Sequence, residues 1–268
     1  MSAQSMNAQG NDPLLDEERA QKYLDSLPTV EEGQTFCFEC TPDVPCFNRC
    51  CRQLTLPLTP YDVLRLCRRL GMASADFLET FATFKSFPDS GLPIAMLRML
   101  KDPDETCPFV TPAGCHVYDD RPGACRSYPL GRGTSLSRNG VSETFYLVQE
   151  PHCRGFDAGR DWTPQEWFAH EQLEDYNRSN DRYMRLGAMV TASGGPVNQK
   201  VGNMAVLCLY QLDKFREFID KMKLFNRVEV SEERQAAIMT DDEAALEFGY
   251  DWVELALFGQ CEGLKKKN

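Results

Sequence analysis

Ten of the twelve cysteines in this 268-residue chain fall between residues 37 and 153. Their spacing is C-x2-C-x5-C-x3-C-C from Cys37 through Cys40, Cys46 and Cys50 to Cys51, then single residues at Cys67, Cys107, Cys115, Cys125 and Cys153. Thiolates are the soft ligands that zinc, copper(I) and iron-sulfur centres favour, and a tetrahedral site takes four of them. Nine of the ten, all but Cys67, sit beside Pro, Gly, Asn and Arg in segments with no regular period, the way loops present side chains to a metal. Eight ligands would fill two tetrahedral sites, or one cluster and one mononuclear ion. Cys50 and Cys51 are adjacent, and neighbouring side chains diverge by about 180° in extended chain and about 100° in a helix, so the two are expected to serve different metals or different irons. A structural cysteine behaves instead as a small hydrophobe on an apolar face. Cys67 and Cys208 fit that description and read as core residues, and Cys261, near the charged tail, reads as incidental.

Arginines surround the block: Arg49 and Arg52 flank the adjacent pair, Arg121 and Arg126 bracket Cys125, and Arg154 follows Cys153. A nearby guanidinium lowers a thiol pKa and offsets the charge of a thiolate site, whereas the plainer reading makes these ordinary surface contacts. A disulfide framework is the structural alternative for the whole block. It belongs to oxidising compartments, and the polar, acidic stretch from Met1 to Asp25 lacks the basic start and apolar run of a secretory signal, so the expected compartment is the cytosol. Spacing leaves zinc against an iron-sulfur cluster open, because there is no second C-x2-C at ribbon distance, no ferredoxin run and no radical-enzyme triplet. His116 and His152 each adjoin a cluster cysteine; neighbours in extended chain point apart, so both read as supporting or solvent-facing groups, and His170 as ordinary. Asp119 and Asp120 read as solvated turn residues, and Phe81, Phe84 and Phe87 as core packing.

The elements that must carry these cysteines are mostly helical in pattern. Residues 1–11 read as disordered, and Leu14 to Leu27 as a short charged helix. Residues 37–52 have no usable period. Thr59 then caps a helix beginning at Pro60, with Asp62 completing a capping box and Gly71 ending it. Ser74 is expected to cap a further helix through Phe77, Leu78 and Phe81. Leu92 to Leu100, His116 to Tyr118 and Thr144 to Val148 are strand-like. Thr163, Pro164 and Glu166 start a helix in which Ala169, Leu173, Tyr176, Tyr183 and Val190 recur at helical spacing. Gly194, Gly195 and Pro196 break the chain; Cys208, Leu212, Phe215, Ile219 and Met222 then repeat at steps of four and three, and Asp241 to Phe258 forms a last helix. The expected fold is mostly α with an irregular cysteine-rich metal-binding core and room for a small β-sheet. It divides into an N-terminal extension with a short helix (1–36), a cysteine-cluster metal-binding region (37–160) and a C-terminal helical region (161–268).

Apolar residues make up 42% of the chain, enough for a sizeable core without metal or disulfides to compensate for small size. The net charge of −11 is shared as −5 over residues 1–36, zero over 37–160 and −6 over 161–268. Nucleic acid is not an expected partner, since the only basic run is Lys265, Lys266 and Lys267. Nor is a membrane, because no apolar run approaches the roughly 18 residues a spanning helix needs.

These residues together resemble the CxxCxxCC, or YkgJ-type, cysteine-cluster family of zinc- or iron-chelating proteins. The resemblance lies in Phe38-Glu39-Cys40, Cys46, Cys50-Cys51-Arg52, Cys107-Pro108-Phe109, Gly114-Cys115-His116-Val117-Tyr118, the run from Arg121 to Pro129, and Cys153-Arg154-Gly155 with Thr163 and Glu166. It implies eight metal ligands: Cys40, Cys46, Cys50, Cys51, Cys107, Cys115, Cys125 and Cys153. The family's compact opening F-x-C-x2-C-x2-C-C is stretched here, which sets Cys37 against Cys40 for the first place; Cys40 is preferred because Phe38 then takes the leading aromatic position. The functional expectation is a metal ion held by about eight thiolates, serving electron transfer or redox sensing if it is iron-sulfur, and structure or binding of a protein partner if it is zinc. The rival is a metal-containing enzyme, since flagellin lysine N-methylases contain a similar cluster; no Gly-rich strand-to-helix turn with an acidic partner marks a nucleotide-methyl-donor site.

Overall fold

The structure, a computed structural model, describes residues 17–31, 33–137, 140–157 and 159–267. Helix α1 (Glu17–Ser26) lies within the expected Leu14–Leu27 helix, whose first residues, like residues 1–11, fall outside the described chain. Strand β1 (Phe36–Phe38) leads into the irregular cysteine loop, which ends at β2 (Pro57–Leu58). Helix α2 (Pro60–Leu70) starts as its sequence dictates: the Thr59 and Asp62 side chains accept from each other's backbone, Pro60 fills the first turn, and Gly71 closes the end in the left-handed region at φ 62°. Helix α3 (Ser74–Phe81) is capped at Ala73 without a side-chain bond. Ser74 instead turns its hydroxyl to Asp213, a distant partner that outcompetes the local cap.

Strands β3 (Ala82–Ser86) and β4 (Pro93–Leu97) join β2 in an antiparallel sheet of order β2-β4-β3. All five residues of β4 are buried, because this central strand is covered on both faces. Two-residue strands β5 (Val110–Thr111) and β6 (Gly114–Cys115) form a tight hairpin, so the strand expected over His116–Tyr118 lies earlier, and a 3-10 turn occupies Tyr118–Asp120. Helix α4 (Gly123–Ser127) precedes a long hairpin of β7 (Leu130–Ser137) and β8 (Gly140–Leu147). Strand β9 (Arg160–Trp162) returns to pair antiparallel with β1, Phe36 opposite Trp162.

The C-terminal part is helical but more broken than its periodicity suggests. Helices α5 (Pro164–His170) and α6 (Glu174–Ala192) are separated by a turn in which Gln172 has φ 53°. Helix α7 (Gln199–Ala205) passes through a π-turn at Val206–Tyr210 before α8 (Leu212–Met222), so Cys208 and Met222 do not share one α-helix. Strand β10 (Val228–Glu229), helix α9 (Glu232–Thr240), helix α10 (Asp242–Phe258) and strand β11 (Lys265–Lys266) complete the chain, with β11 antiparallel to β10. Of the described residues 48% are helical and 17% are in strands, the latter in small sheets, so the architecture is roughly mixed rather than mostly α.

Two hydrophobic cores result. The main one gathers α2, α3, the three-stranded sheet and the C-terminal helices around residues such as Leu66, Phe77, Phe215 and Phe248, all fully buried. The smaller one comprises Val30, Phe36, Phe38, Leu130, Trp162 and Trp167. It is fastened by Trp162 Nε1 donating to the Phe38 carbonyl at 3.0 Å and Trp167 Nε1 donating to the Ser127 carbonyl at 2.9 Å. Phe168 packs against both.

Candidate metal centre

The cysteines lie in the connections between the two cores. Leaving the small core at Phe38, the chain is held by Glu39 N donating to the Gly155 carbonyl at 2.9 Å. A Cβ on Gly155 would come within 2.6 Å of the Phe38 ring and 2.7 Å of the Glu39 carbonyl, so only glycine lets the segment after Cys153 lie this close to the one before Cys40. One residue earlier in that segment, Arg154 N donates to Cys46 Sγ at 3.1 Å. Cys153 itself packs against the small core. Cys37 sits on β1 between the buried Phe36 and Phe38, and side chains alternate along a strand, so it points to the opposite face.

Further along the loop the chain reaches the main core. Cys107 N donates to the Cys51 carbonyl at 2.9 Å, and the Arg52–Thr106 bridge continues the pairing. Asn48 Nδ2 donates to the Thr111 carbonyl at 3.0 Å, which draws the β5–β6 hairpin with Cys115 to the same place. Cys107 belongs to the main core, and Cys51, Cys115 and Cys125 pack against it.

None of the eight expected ligands is joined in a disulfide. Cys50 is their common neighbour: its charge raises the pKa values of Cys40, Cys51, Cys107, Cys115 and Cys125. Cys46 and Cys153 in turn act on Cys40. The Cys51 thiol donates to Cys50 and lowers it to about 7, and the same bond, followed by burial, pushes Cys51 well above the usual thiol range. Burial is the first cause of the rise at the other four, and it carries Cys40, an exposed residue, to about 11. Backbone amides oppose it: Phe109 and Val110 N–H act on Cys107, and Val117 N–H on Cys115. Amides aimed at sulfur favour the thiolate. The expected lowering by arginine therefore acts at Cys40 and Cys115, through Arg121, but does not outweigh burial there.

Among the described residues no group of three or more His, Cys, Asp or Glu side chains is gathered closely enough to hold an ion as it stands. Neutral thiols gain nothing from the S···S approach of about 3.8 Å that a tetrahedral site with metal–sulfur bonds of about 2.3 Å imposes. The donor set nonetheless fits a thiophilic metal, with eight free thiols in one connected neighbourhood, amides at three of them, and a guanidinium beside two. Beside Cys153, which hydrogen-bonds with the Tyr128 hydroxyl, His152 Nε2 is buried with no hydrogen-bond partner among the described residues.

An ionic frame holds the segment from Tyr118 to Ser127. Arg121 lies 3.9 Å over the Tyr118 ring and pairs with Glu171, both charged groups being mostly buried. Arg126, 6% exposed, donates to the Glu171 carbonyl at 2.7 Å and to the Asp119 carbonyl. Asp62, 2% exposed, accepts from Gly123 N at 2.7 Å and from Thr59 N at 2.7 Å; burial holds its carboxyl above the usual range in spite of these bonds. Asp120 is no solvated turn residue, since Arg65 Nη2 holds it at 2.6 Å, whereas Asp119 is exposed and 3.6 Å from Arg69. The remaining arginines divide as the plainer reading has it: Arg52 pairs with Asp104 and Arg154 with Asp157 at the surface. Glu171 carries no motif in the sequence, and Asp62 shows there only as a cap. Cys261 is less incidental than its place suggests, donating to Asp251 at 3.6 Å.

A cysteine-rich domain with thiols brought together between two cores is thus the class that fold and site define. Residues 39–154, somewhat under half of the chain, match the CxxCxxCC family model, described as "Putative zinc- or iron-chelating domain". The match supports metal binding by this segment. No curated protein and no solved structure matches the chain.

Proposed function

We propose that the protein holds zinc or an iron-sulfur centre through Cys40, Cys46, Cys50, Cys51, Cys107, Cys115, Cys125 and Cys153. The observation that carries this reading is the bonding that draws the cysteine segments together: Cys107 N on the Cys51 carbonyl, Asn48 Nδ2 on the Thr111 carbonyl beside the Cys115 hairpin, and Arg154 N on Cys46 Sγ. We place the protein in the cytosol, where thiols are kept reduced. Bound iron-sulfur would supply one-electron chemistry for electron transfer or redox sensing, and bound zinc would supply a structural centre for contact with a protein partner. An enzyme acting on a small molecule is the weaker reading: the cavity lined by Tyr61, Ser179 and Glu247, of about 150 Å³, and the one lined by Cys67 and Arg216, of about 100 Å³, fall short of the roughly 300 Å³ at which ligand sites begin.

Metal analysis and an absorption spectrum of anaerobically purified full-length protein test the proposal. Stoichiometric iron with a brown, reducible spectrum, or stoichiometric zinc in a colourless protein, supports it and chooses the metal. Neither metal above trace, in protein that also fails to take up added zinc or iron, contradicts it.

A further inference from the structure

We infer that Tyr128, which is no metal ligand itself, is a positioning residue for the metal centre, its phenol donating a hydrogen bond to the sulfur of Cys153. This rests on the reading above and deepens it, because that reading names sulfur ligands and no side chain that acts on them.

The backbone brings the two residues together. The β7–β8 hairpin ends with Leu130 opposite Leu147, and Val148 N then donates to the Pro129 carbonyl at 2.8 Å, so the pairing continues past the strands to the neighbour of Tyr128. Beyond it Cys153 N closes a turn on the Glu150 carbonyl at 2.9 Å, and the Glu150 amide acts on the Tyr128 hydroxyl. From the other side Phe38 meets the Tyr128 ring edge-on at 5.7 Å, and both Tyr128 and Cys153 pack against the small core. Ring and hydroxyl are thus both held where the phenol hydrogen-bonds with Cys153. His152 Nε2, buried beside Cys153, has no hydrogen-bond partner among the described residues, so the phenol is the side chain committed to that sulfur.

A metal-bound thiolate carries no proton, so toward it the phenol can only donate. A donor on a ligand sulfur disperses its negative charge. Where zinc is bound, this steadies the ligand; where iron-sulfur is bound, it raises the reduction potential. Arg154 N makes the corresponding bond to Cys46 Sγ at 3.1 Å, but from the backbone. Tyr128 is a donor that a side-chain substitution removes.

The test uses the full chain, stripped under anaerobic reducing conditions and reloaded with Zn²⁺ alone or Co²⁺ alone. Tyr128→Phe keeps the ring against Phe38 and deletes only the hydroxyl. It should weaken zinc binding, measured by competition with a chelator of known affinity, by about ten- to a hundredfold. It should also move the sulfur-to-cobalt charge-transfer band to longer wavelength and, in protein loaded with iron-sulfur, lower the reduction potential. Phe156→Leu thins the same core but leaves the hydroxyl in place, so it should leave the band and the potential where they are. An unmoved band and potential in Tyr128→Phe, or the same shift in Phe156→Leu, overturns the assignment while leaving thiolate binding intact. A wild-type chain that takes up no zinc, cobalt or iron removes the parent reading, and this one with it.

Discussion

The main core and the small core are built by different means. The main core is assembled from helices with legible starts and apolar faces, and it buries large side chains such as Phe215 and Phe248 completely. The small core rests on three-residue strands β1 and β9, the base of the β7–β8 hairpin and a group of rings in which Phe38 meets Tyr128, Phe156 and Trp167 edge-on at 5.2–5.7 Å. So few residues bury little area, and a cluster of that size is marginal alone. Its connection to the rest runs through the cysteine loops, the Arg121–Glu171 frame, Phe168 and the pair of Arg132 with Asp181. The difference teaches where metal would matter: binding to thiols on both sides adds its free energy to the docking of the small core, and little to helices that already fold on one another.

Metal removal should therefore act on one core. Stripping the full chain is expected to speed amide hydrogen exchange in β1, β9 and residues 39–46 by about tenfold or more and to leave α2 and α10 unchanged. Uniform acceleration across both cores would remove the distinction.

The frame can be tested at single residues. Arg121→Ala leaves the buried Glu171 carboxylate with only His170 Nδ1 beside it, at 3.1 Å, and should cost about 3 kcal/mol in denaturant unfolding. Asp62→Ala strips an acceptor from Gly123 N and Thr59 N and should cost about 2 kcal/mol. A loss below about 0.5 kcal/mol in either would mean the segment carrying Cys125 is held by something else.

Cys67 contrasts a core cysteine with the cluster. Burial, then Asp213 and Asp242, push its thiol from the ordinary 9.0 to about 12. A thiol raised on folding contributes stability that is complete below its unfolded pKa and is lost as pH rises. Wild type should thus lose stability relative to Cys67→Ala as pH climbs above 9, with bound metal unchanged in both. A pH-independent difference, or metal loss in Cys67→Ala, would move Cys67 out of the core class. The smallest effect is expected at Arg52, whose pair with Asp104 is half exposed on both sides: Arg52→Ala should stay within about 0.5 kcal/mol in unfolding titrations, whereas a larger loss would place Arg52 in the frame beside Arg121.

What the sequence discloses follows the same division. Thr59, Pro60 and Asp62, then Thr163, Pro164 and Glu166, and finally Asp241 each announce a helix that the structure contains, because caps are local chemistry. The cysteine block is equally visible, since its residue type and spacing need no tertiary context. Hidden are the features that depend on distant partners: β1 finds β9 more than a hundred residues away, Ser74 leaves its cap for Asp213, and Glu171 takes its meaning from Arg121 and Arg126. The turn at Gln172 and the π-turn at Val206–Tyr210 interrupt apolar patterns that continue across them, so periodicity alone joins what the backbone separates. Helix α9 has only Ile238 buried and offers no stripe to read.

The central claim is that these sulfurs share a cation, and X-ray absorption at the metal edge of anaerobically purified full-length protein addresses it most directly. A first shell of about four sulfur atoms per metal, near 2.3 Å, is the result expected. A shell of nitrogen and oxygen, with no sulfur in it, would contradict the account whatever the metal content.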